Sequence, residues 1–152
     1  MPRTAAERAN LDRVLAMYRE VLIAMDPDAV DRHLPSHYIQ HSSLAEPGLA
    51  PLKRFLARVR EESPDARQTI HRAFADDDHV IVHVHVERWP GDPGLAVVDI
   101  FRCADGEIVE HWDVIQEVPR IPSTRSVCSE GLRSIRYSVR GASSSRIVLV
   151  SR

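Results

Sequence analysis

Two different periods of apolar residues divide the first 118 positions. Leu11, Val14, Leu15, Tyr18, Leu22 and Met25 recur at helical spacing behind Thr4-x-x-Glu7. In such a pair the hydroxyl and the carboxylate each satisfy a backbone amide that the first turn leaves free, so the pattern predicts an amphipathic helix ending near Met25. Asp26-Pro27 restarts the chain: Asp26 suits an N-cap and Pro27 a first helical position, giving a short second helix that ends before Pro35. Ser36 to His41 reads as a short extended piece. Pro51 opens a third helix in which Leu52, Phe55, Leu56 and Val59 form one stripe before Pro64.

From Arg67 the period falls to two. Extended segments near 67–75, 79–89, 95–103 and 107–118 are separated by Asp76-Asp77-Asp78, by Pro90-Gly91-Asp92-Pro93-Gly94 and by Ala104-Asp105-Gly106. Short turns between alternating segments predict an antiparallel meander. Helices first and strands afterwards predict an α+β domain in which the helices cover one face of a curved sheet.

Turn lengths set an expected register. Pairing Cys103 with Glu107 puts Asp99 opposite His111, pairing Trp89 with Leu95 puts His85 opposite Asp99, and pairing Ala75 with His79 puts Thr69 opposite His85. Opposed side chains stand roughly 4.5–5.5 Å apart at Cβ, so the row Thr69, His85, Asp99, His111 is a predicted acid/base centre. The same face takes Ile81, His83, Val97, Phe101, Val109, Asp113 and Ile115, a set of apolar walls with a few polar groups that suits a small-molecule pocket. Val82, Val84, Val86, Val98, Ile100, Ile108, Trp112 and Val114 fall on the opposite face, as core or as a dimer surface. Asp99 leads the chemistry because a carboxylate within an apolar strand is costly to bury ionised; it must be exposed, paired or held protonated.

Composition narrows the function classes. With 152 residues and 43% hydrophobic content the chain can build one ordinary core. A net charge of -2 gives no case for a dedicated nucleic-acid binder, and no apolar run approaches the roughly 20 residues of a membrane span. Cys103 and Cys128 share no metal or redox spacing and the N-terminal stretch is polar, which predicts a reduced, cytoplasmic protein. Residues 1–118 carry 13 basic and 21 acidic side chains, whereas 119–152 carry 7 and 1. That asymmetry predicts a domain over 1–118 and a basic Ser/Arg-rich tail over 119–152, with disorder, an added hairpin and an anion-binding arm all open for the tail.

No Gly-rich phosphate loop, Gly-x-Ser-x-Gly elbow or paired-cysteine motif is present. What remains is non-covalent acid/base catalysis by His and Asp, or binding without turnover. His83-Val84-His85 also aims two imidazoles the same way, with His71 or His41 as a third metal ligand. That spacing is weakly specific, and the preferred reading has neither metal nor other cofactor.

Tyr18 on the first helix, Tyr38-Ile39-Gln40-His41 after the second, the strand Val98-Asp99-Ile100-Phe101-Arg102 and the hairpin from Asp105 to Val114, with its Glu110-His111-Trp112-Asp113, together resemble the SnoaL-like polyketide cyclase group of the nuclear-transport-factor-two-like superfamily. The resemblance covers roughly residues 8 to 118. It implies a cone-shaped roll, a curved antiparallel sheet wrapped on three N-terminal helices around a deep pocket, and a homodimer through the outer sheet face. It also implies a cofactor-independent lyase or isomerase, in which an Asp and a His move protons to and from a small carbonyl substrate during an aldol-type closure. On that reading Asp99, His85 and His41 are catalytic, and Tyr18, His111, Phe101, His83 and Asp113 bind the substrate. The ketosteroid isomerase branch is similar, with its oxyanion-hole acid in a like Val-x-Asp-x-x-Arg strand and a carboxylate base where His41 stands here. Because pockets of this superfamily are often used only to bind, a non-catalytic small-molecule-binding or dimeric assembly module is the alternative.

Overall fold

The structure is a computed structural model in which residues 2–42 and 44–119 are described. The Ser/Arg-rich tail, for which the sequence leaves three outcomes open, lies outside the described residues from position 120 onward.

Helix α1 (Ala5–Met17) begins at the capping box the sequence predicts: the Thr4 hydroxyl accepts from the Glu7 amide at 3.2 Å, and the Glu7 carboxylate accepts from the Thr4 amide at 2.6 Å. It continues as a wider, π-helical turn over Tyr18–Ile23 that buries Tyr18 and Val21. The Gln68 amide donates to the Leu22 carbonyl at 2.7 Å, tying this turn to the sheet. Asp26 caps the next segment by accepting from the Asp28 amide at 3.0 Å, and the chain runs through a 3-10 turn (Pro27–Ala29) into the short α2 (Val30–His33). Helix α3 (Leu49–Glu62) buries Leu52 and Leu56.

Strand β1 (Ile39–His41) is followed, after α3, by β2 (Arg67–Asp76), β3 (His79–Glu87), β4 (Leu95–Ala104) and β5 (Glu107–Glu117). The sheet order is β1-β5-β4-β3-β2, with β1 parallel to β5 and every other pair antiparallel. The predicted meander is therefore present, and β1 makes the sheet mixed. Val80, Val82, Val84, Phe101 and Ile108, all on the concave face, pack with Val14, Met17, Val21, Leu52 and Leu56 from the helices. This is the α+β cone: three helices on a curved, open five-stranded sheet.

All three turns depart from the predicted register. Between β2 and β3 the strands close at Asp76 and His79, and the bulge at His71 offsets the change, so Thr69 still faces His85. The other two departures have opposite consequences. Between β4 and β5 the strands close at Ala104 and Glu107 around Asp105 and Gly106, both at positive φ as a two-residue hairpin turn requires. A bulge at Arg102/Cys103 then shifts the ladder, so Asp99 faces Asp113 and Phe101 faces His111. The shift relative to expectation is even, which leaves Asp99, Phe101, His111, Asp113 and Ile115 on one face as predicted. The same bulge turns Ile108 inward and buries it fully, where simple alternation put it outside.

Between β3 and β4 the error is odd. His85 pairs with Ala96 and Asp99 with Val82, so β3 is flipped: Val82 and Val84 point into the core, and His83 and His85 point out. The cause is the connection after Glu87, which is longer than the five residues expected. Buried Asp92 accepts from the Arg88 amide at 3.0 Å and from its guanidinium at 2.7 and 3.1 Å, closing the loop on itself. Gly94 lies at φ 84°, and a Cβ there would meet the Val86 carbonyl at 2.3 Å and His85 Nε2 at 2.5 Å. Gly94→Ala is therefore expected to destabilise the fold by more than about 1 kcal/mol in urea unfolding, since neither the backbone angle nor the space admits a methyl group.

Candidate active site

Asp99 is 5% exposed and held from two sides. The Tyr18 hydroxyl, brought inward by the π-helical turn, donates to Oδ2 at 2.7 Å, and His111 Nε2 shares a hydrogen bond with Oδ1 at 2.9 Å. Phe101 keeps both partners in place: its ring stacks on His111 at 4.7 Å and meets Tyr18 edge-on at 6.4 Å. With Nε2 as the donor, the His111 tautomer leaves Nδ1 as a buried acceptor with no partner among the described residues.

Two phenols flank this carboxylate. Burial, and then the charge of Asp99, pushes the Tyr18 phenol far above its ordinary range. Burial, and then Asp99 and Asp113, does the same to Tyr38. Both therefore stay protonated, and Tyr18 is the donor to Asp99.

Asp113 is the register partner of Asp99, and one donor atom from each of Asp99, His111 and Asp113 lies within 4.8 Å of the others. These groups sit in a cavity of about 380 Å³ whose walls are mainly apolar, among them Val21, Leu34, Leu52, Leu56, Leu95 and Ile115. A confined apolar space with a few convergent polar groups is the usual form of a small-molecule site. The two carboxylates and the imidazole could also hold a divalent cation, but both Asp99 oxygens already accept hydrogen bonds, so the set can exchange protons as it stands.

Of the residues singled out from the sequence, Asp99, Tyr18, His111, Phe101 and Asp113 come together around the cavity. His85, His83 and His41 do not. His85 lies on the outer face with Nε2 bonded to the Pro93 carbonyl at 2.7 Å, and His83 pairs with Val98 on that same face. The partner of Asp99 is thus His111 rather than His85, because the Arg88 to Gly94 connection flips β3. His41 also points outward, stacked on Trp112 at 5.1 Å and bonded to Glu110 at 2.9 Å, while its neighbour Gln40 is buried and lines the cavity.

Tyr38 and Gln40 are among the cavity residues that sequence reasoning missed. Their signal was alternation: in an extended Tyr38-Ile39-Gln40-His41, Tyr38 and Gln40 share a face. Gln40 pairs with His111 across the parallel β1/β5 ladder, so an inward His111 carries Gln40 inward with it.

The sequence profile of the SnoaL-like domain family matches residues 10–111. The chain belongs to the SnoaL-like family. The match takes in Tyr18, Asp99 and His111 and stops before Asp113. Among solved structures, a protein from Jannaschia sp. CCS1 that bears the name SnoaL-like polyketide cyclase is 21% identical, with a TM-score of 0.62, over 80% of this chain and 99% of that one. A protein from Kribbella flavida named as a ketosteroid isomerase is 20% identical, with a TM-score of 0.61, over 84% and 93%. An NTF2-like protein of unknown function from Mesorhizobium loti is 16% identical, with a TM-score of 0.61, over 76% and 97%. No curated protein matches this SnoaL-like chain. At these identities the neighbours show the cone fold, and the chemistry of the SnoaL-like cavity has to be read from its own residues. Among the described residues no helix is long and apolar enough to cross a membrane.

Proposed function

We propose that this SnoaL-like protein is a cofactor-independent acid/base enzyme of the cyclase or isomerase type, acting on a small carbonyl compound in the cone cavity. The observation that carries the reading is the buried Asp99, bonded on one oxygen to Tyr18 and on the other to His111, at the wall of an apolar cavity of about 380 Å³. Asp113, opposite it, has no hydrogen bond to its carboxylate among the described residues and takes a proton from the carbon beside the substrate carbonyl. The oxygen that gains negative charge is met by the Tyr38 and Tyr18 phenols, and Tyr18 gives its proton to the alkoxide when the new bond has formed. The proton held by Asp113 then passes to Asp99, its cross-strand neighbour, and from Asp99 to the Tyr18 oxygen, which resets all three groups with no net change.

In an aldol-type closure the enolate carbon attacks a second carbonyl of the same molecule, forming a carbon–carbon bond and an alkoxide that takes up the returned proton. In an isomerisation the proton returns to a different carbon. Either route needs only proton transfers between side chains present in the cavity. Turnover of carbonyl compounds in the presence of EDTA is the expected result; activity that disappears on chelation and returns with a metal would contradict it.

A second copy of the chain packs on the outer sheet face in this proposal. Its support is a pair of large apolar side chains that the helices leave uncovered on the β1 and β5 side of that face, Ile39 at 47% and Val114 at 62% exposure. Val114→Glu is then expected to halve the mass seen by light scattering and leave the circular dichroism spectrum unchanged; a monomeric wild type would rule the arrangement out. A binding module without turnover is the second reading, favoured by the largely apolar walls. It differs from the first in retaining its full function when Asp99 is replaced by Asn.

A further inference from the structure

Three imidazoles converge on the outer side of the sheet, away from the cavity. His83 and His85 occupy alternate positions of β3, facing out opposite Val98 and Ala96. His71 falls in the bulge between Ile70 and Arg72 on β2, where the ladder gives it no partner of its own. The extra residue turns its ring over the neighbouring strand, with centroids 5.5 Å from His83 and 6.3 Å from His85. Bulges of this kind re-aim a side chain at the expense of local pairing.

We propose that His71, His83 and His85 form a site for a transition-metal ion that favours imidazole, with zinc(II) as the test ion and solvent in the fourth position. Three imidazole nitrogens about 2.0–2.1 Å from a tetrahedral zinc ion put neighbouring ring centroids roughly 5 Å apart. The observed 5.5 and 6.3 Å are within reach of that spacing by small side-chain rotations.

Two further features support the site. His71 Nε2 is buried with no hydrogen-bond partner among the described residues, a condition that few buried ring nitrogens tolerate. His85 Nε2 donates to the Pro93 carbonyl at 2.7 Å, which fixes the tautomer and leaves Nδ1 with a free lone pair; such a contact is what orients a ligating imidazole. It depends on Gly94, where a Cβ would stand 2.5 Å from that same nitrogen.

Arg72, opposite His83, narrows the choice of ion. Its charge disfavours any cation, so only ions with high affinity for nitrogen, zinc and copper foremost, gain enough from three imidazoles; calcium and magnesium, which need oxygen, do not. A bound ion would clip β2 to β3 across the bulge, on the side of the sheet opposite to Asp99.

Calorimetric titration of zinc(II) into the chelator-stripped full chain near neutral pH tests the site. The expected result is one equivalent bound in the micromolar range. His71→Ala and His83→Ala are each expected to weaken it at least as much as the roughly 10–100-fold that loss of an outer-shell partner costs. His41→Ala and Asp113→Asn are expected to leave the affinity unchanged. Cobalt(II) in place of zinc should give a visible tetrahedral absorption band that the same two histidine variants lose, with circular dichroism showing each variant folded. Absence of saturable binding, or equal binding in His71→Ala and His83→Ala, overturns the proposal. Loss of binding in Asp113→Asn also overturns it, because the ion would then lie in the cavity.

Discussion

Asp99→Asn is expected to lower turnover by about 10²–10⁴-fold while leaving the fold intact, the range that a positioned acid/base group contributes. The side chain keeps its size, so the cavity wall is preserved. What changes is the hydrogen-bond chemistry. The carboxylate accepts on both oxygens, from Tyr18 at 2.7 Å and from His111 at 2.9 Å. An amide offers one oxygen and one NH₂ group, so it must present a donor to one of two donors. Either Tyr18 turns away, or His111 changes tautomer and moves its proton to Nδ1, which has no partner among the described residues. Both outcomes remove the proton path between the oxygens of Asp99 and the cavity. Steady-state rates on any carbonyl substrate, with circular dichroism on the same samples, give the comparison. A near-wild-type rate would show that Asp99 does no chemistry.

Phe101→Ala is expected to produce the largest loss of stability among single core substitutions in the sheet, about 3–5 kcal/mol. Phe101 is 1% exposed and sits between Tyr18 and His111, with ring centroids at 6.4 and 4.7 Å. Removing the ring leaves a cavity that the β-sheet cannot close, because β4 is paired on both sides. It also frees the two groups that hold Asp99, so activity should fall in the fraction that remains folded. Urea unfolding measures the first effect. A loss below about 1 kcal/mol would mean that the surrounding side chains repack into the space.

The fold was legible in the chain to the extent that it is local. Thr4 and Glu7 announce the start of α1, Asp26 caps the second segment, and the period-two segments become β2 to β5. The site was legible in part, for a reason of parity. The two-residue turn and the bulge at Arg102/Cys103 each moved the β4/β5 ladder by one, an even total, so Asp99, Phe101, His111 and Asp113 stayed on one face although their partners changed. The connection at Arg88 to Gly94 moved β3 by an odd number, and His83 and His85 went to the other side. Nothing in the pattern of apolar residues distinguishes those cases. The second depends on Asp92 folding back onto Arg88 and on Gly94 fitting beneath Val86 and His85, contacts that form only when the loop closes. The choice between His41 and Gln40 likewise turned on a single residue of phase in a three-residue strand, whose direction is set by its parallel pairing with β5. The π-helical turn that brings Tyr18 to Asp99 has the same apolar spacing as an α-helix over so short a span, so sequence periodicity does not reveal it.

The central claim is that the cavity moves protons at carbon next to a carbonyl. The most direct measurement is deuterium incorporation from D₂O at the α-carbon of a bicyclic aryl ketone such as β-tetralone, followed by NMR with wild type, Asp99→Asn and Asp113→Asn in the presence of EDTA. Incorporation above the buffer rate in the wild type, lost in both variants while ligand-induced shifts of cavity resonances persist, is the result this account predicts. A ketone that enters the cavity and exchanges no faster than in buffer, or equally fast in all three proteins, would contradict it and leave the SnoaL-like cone as a binding site.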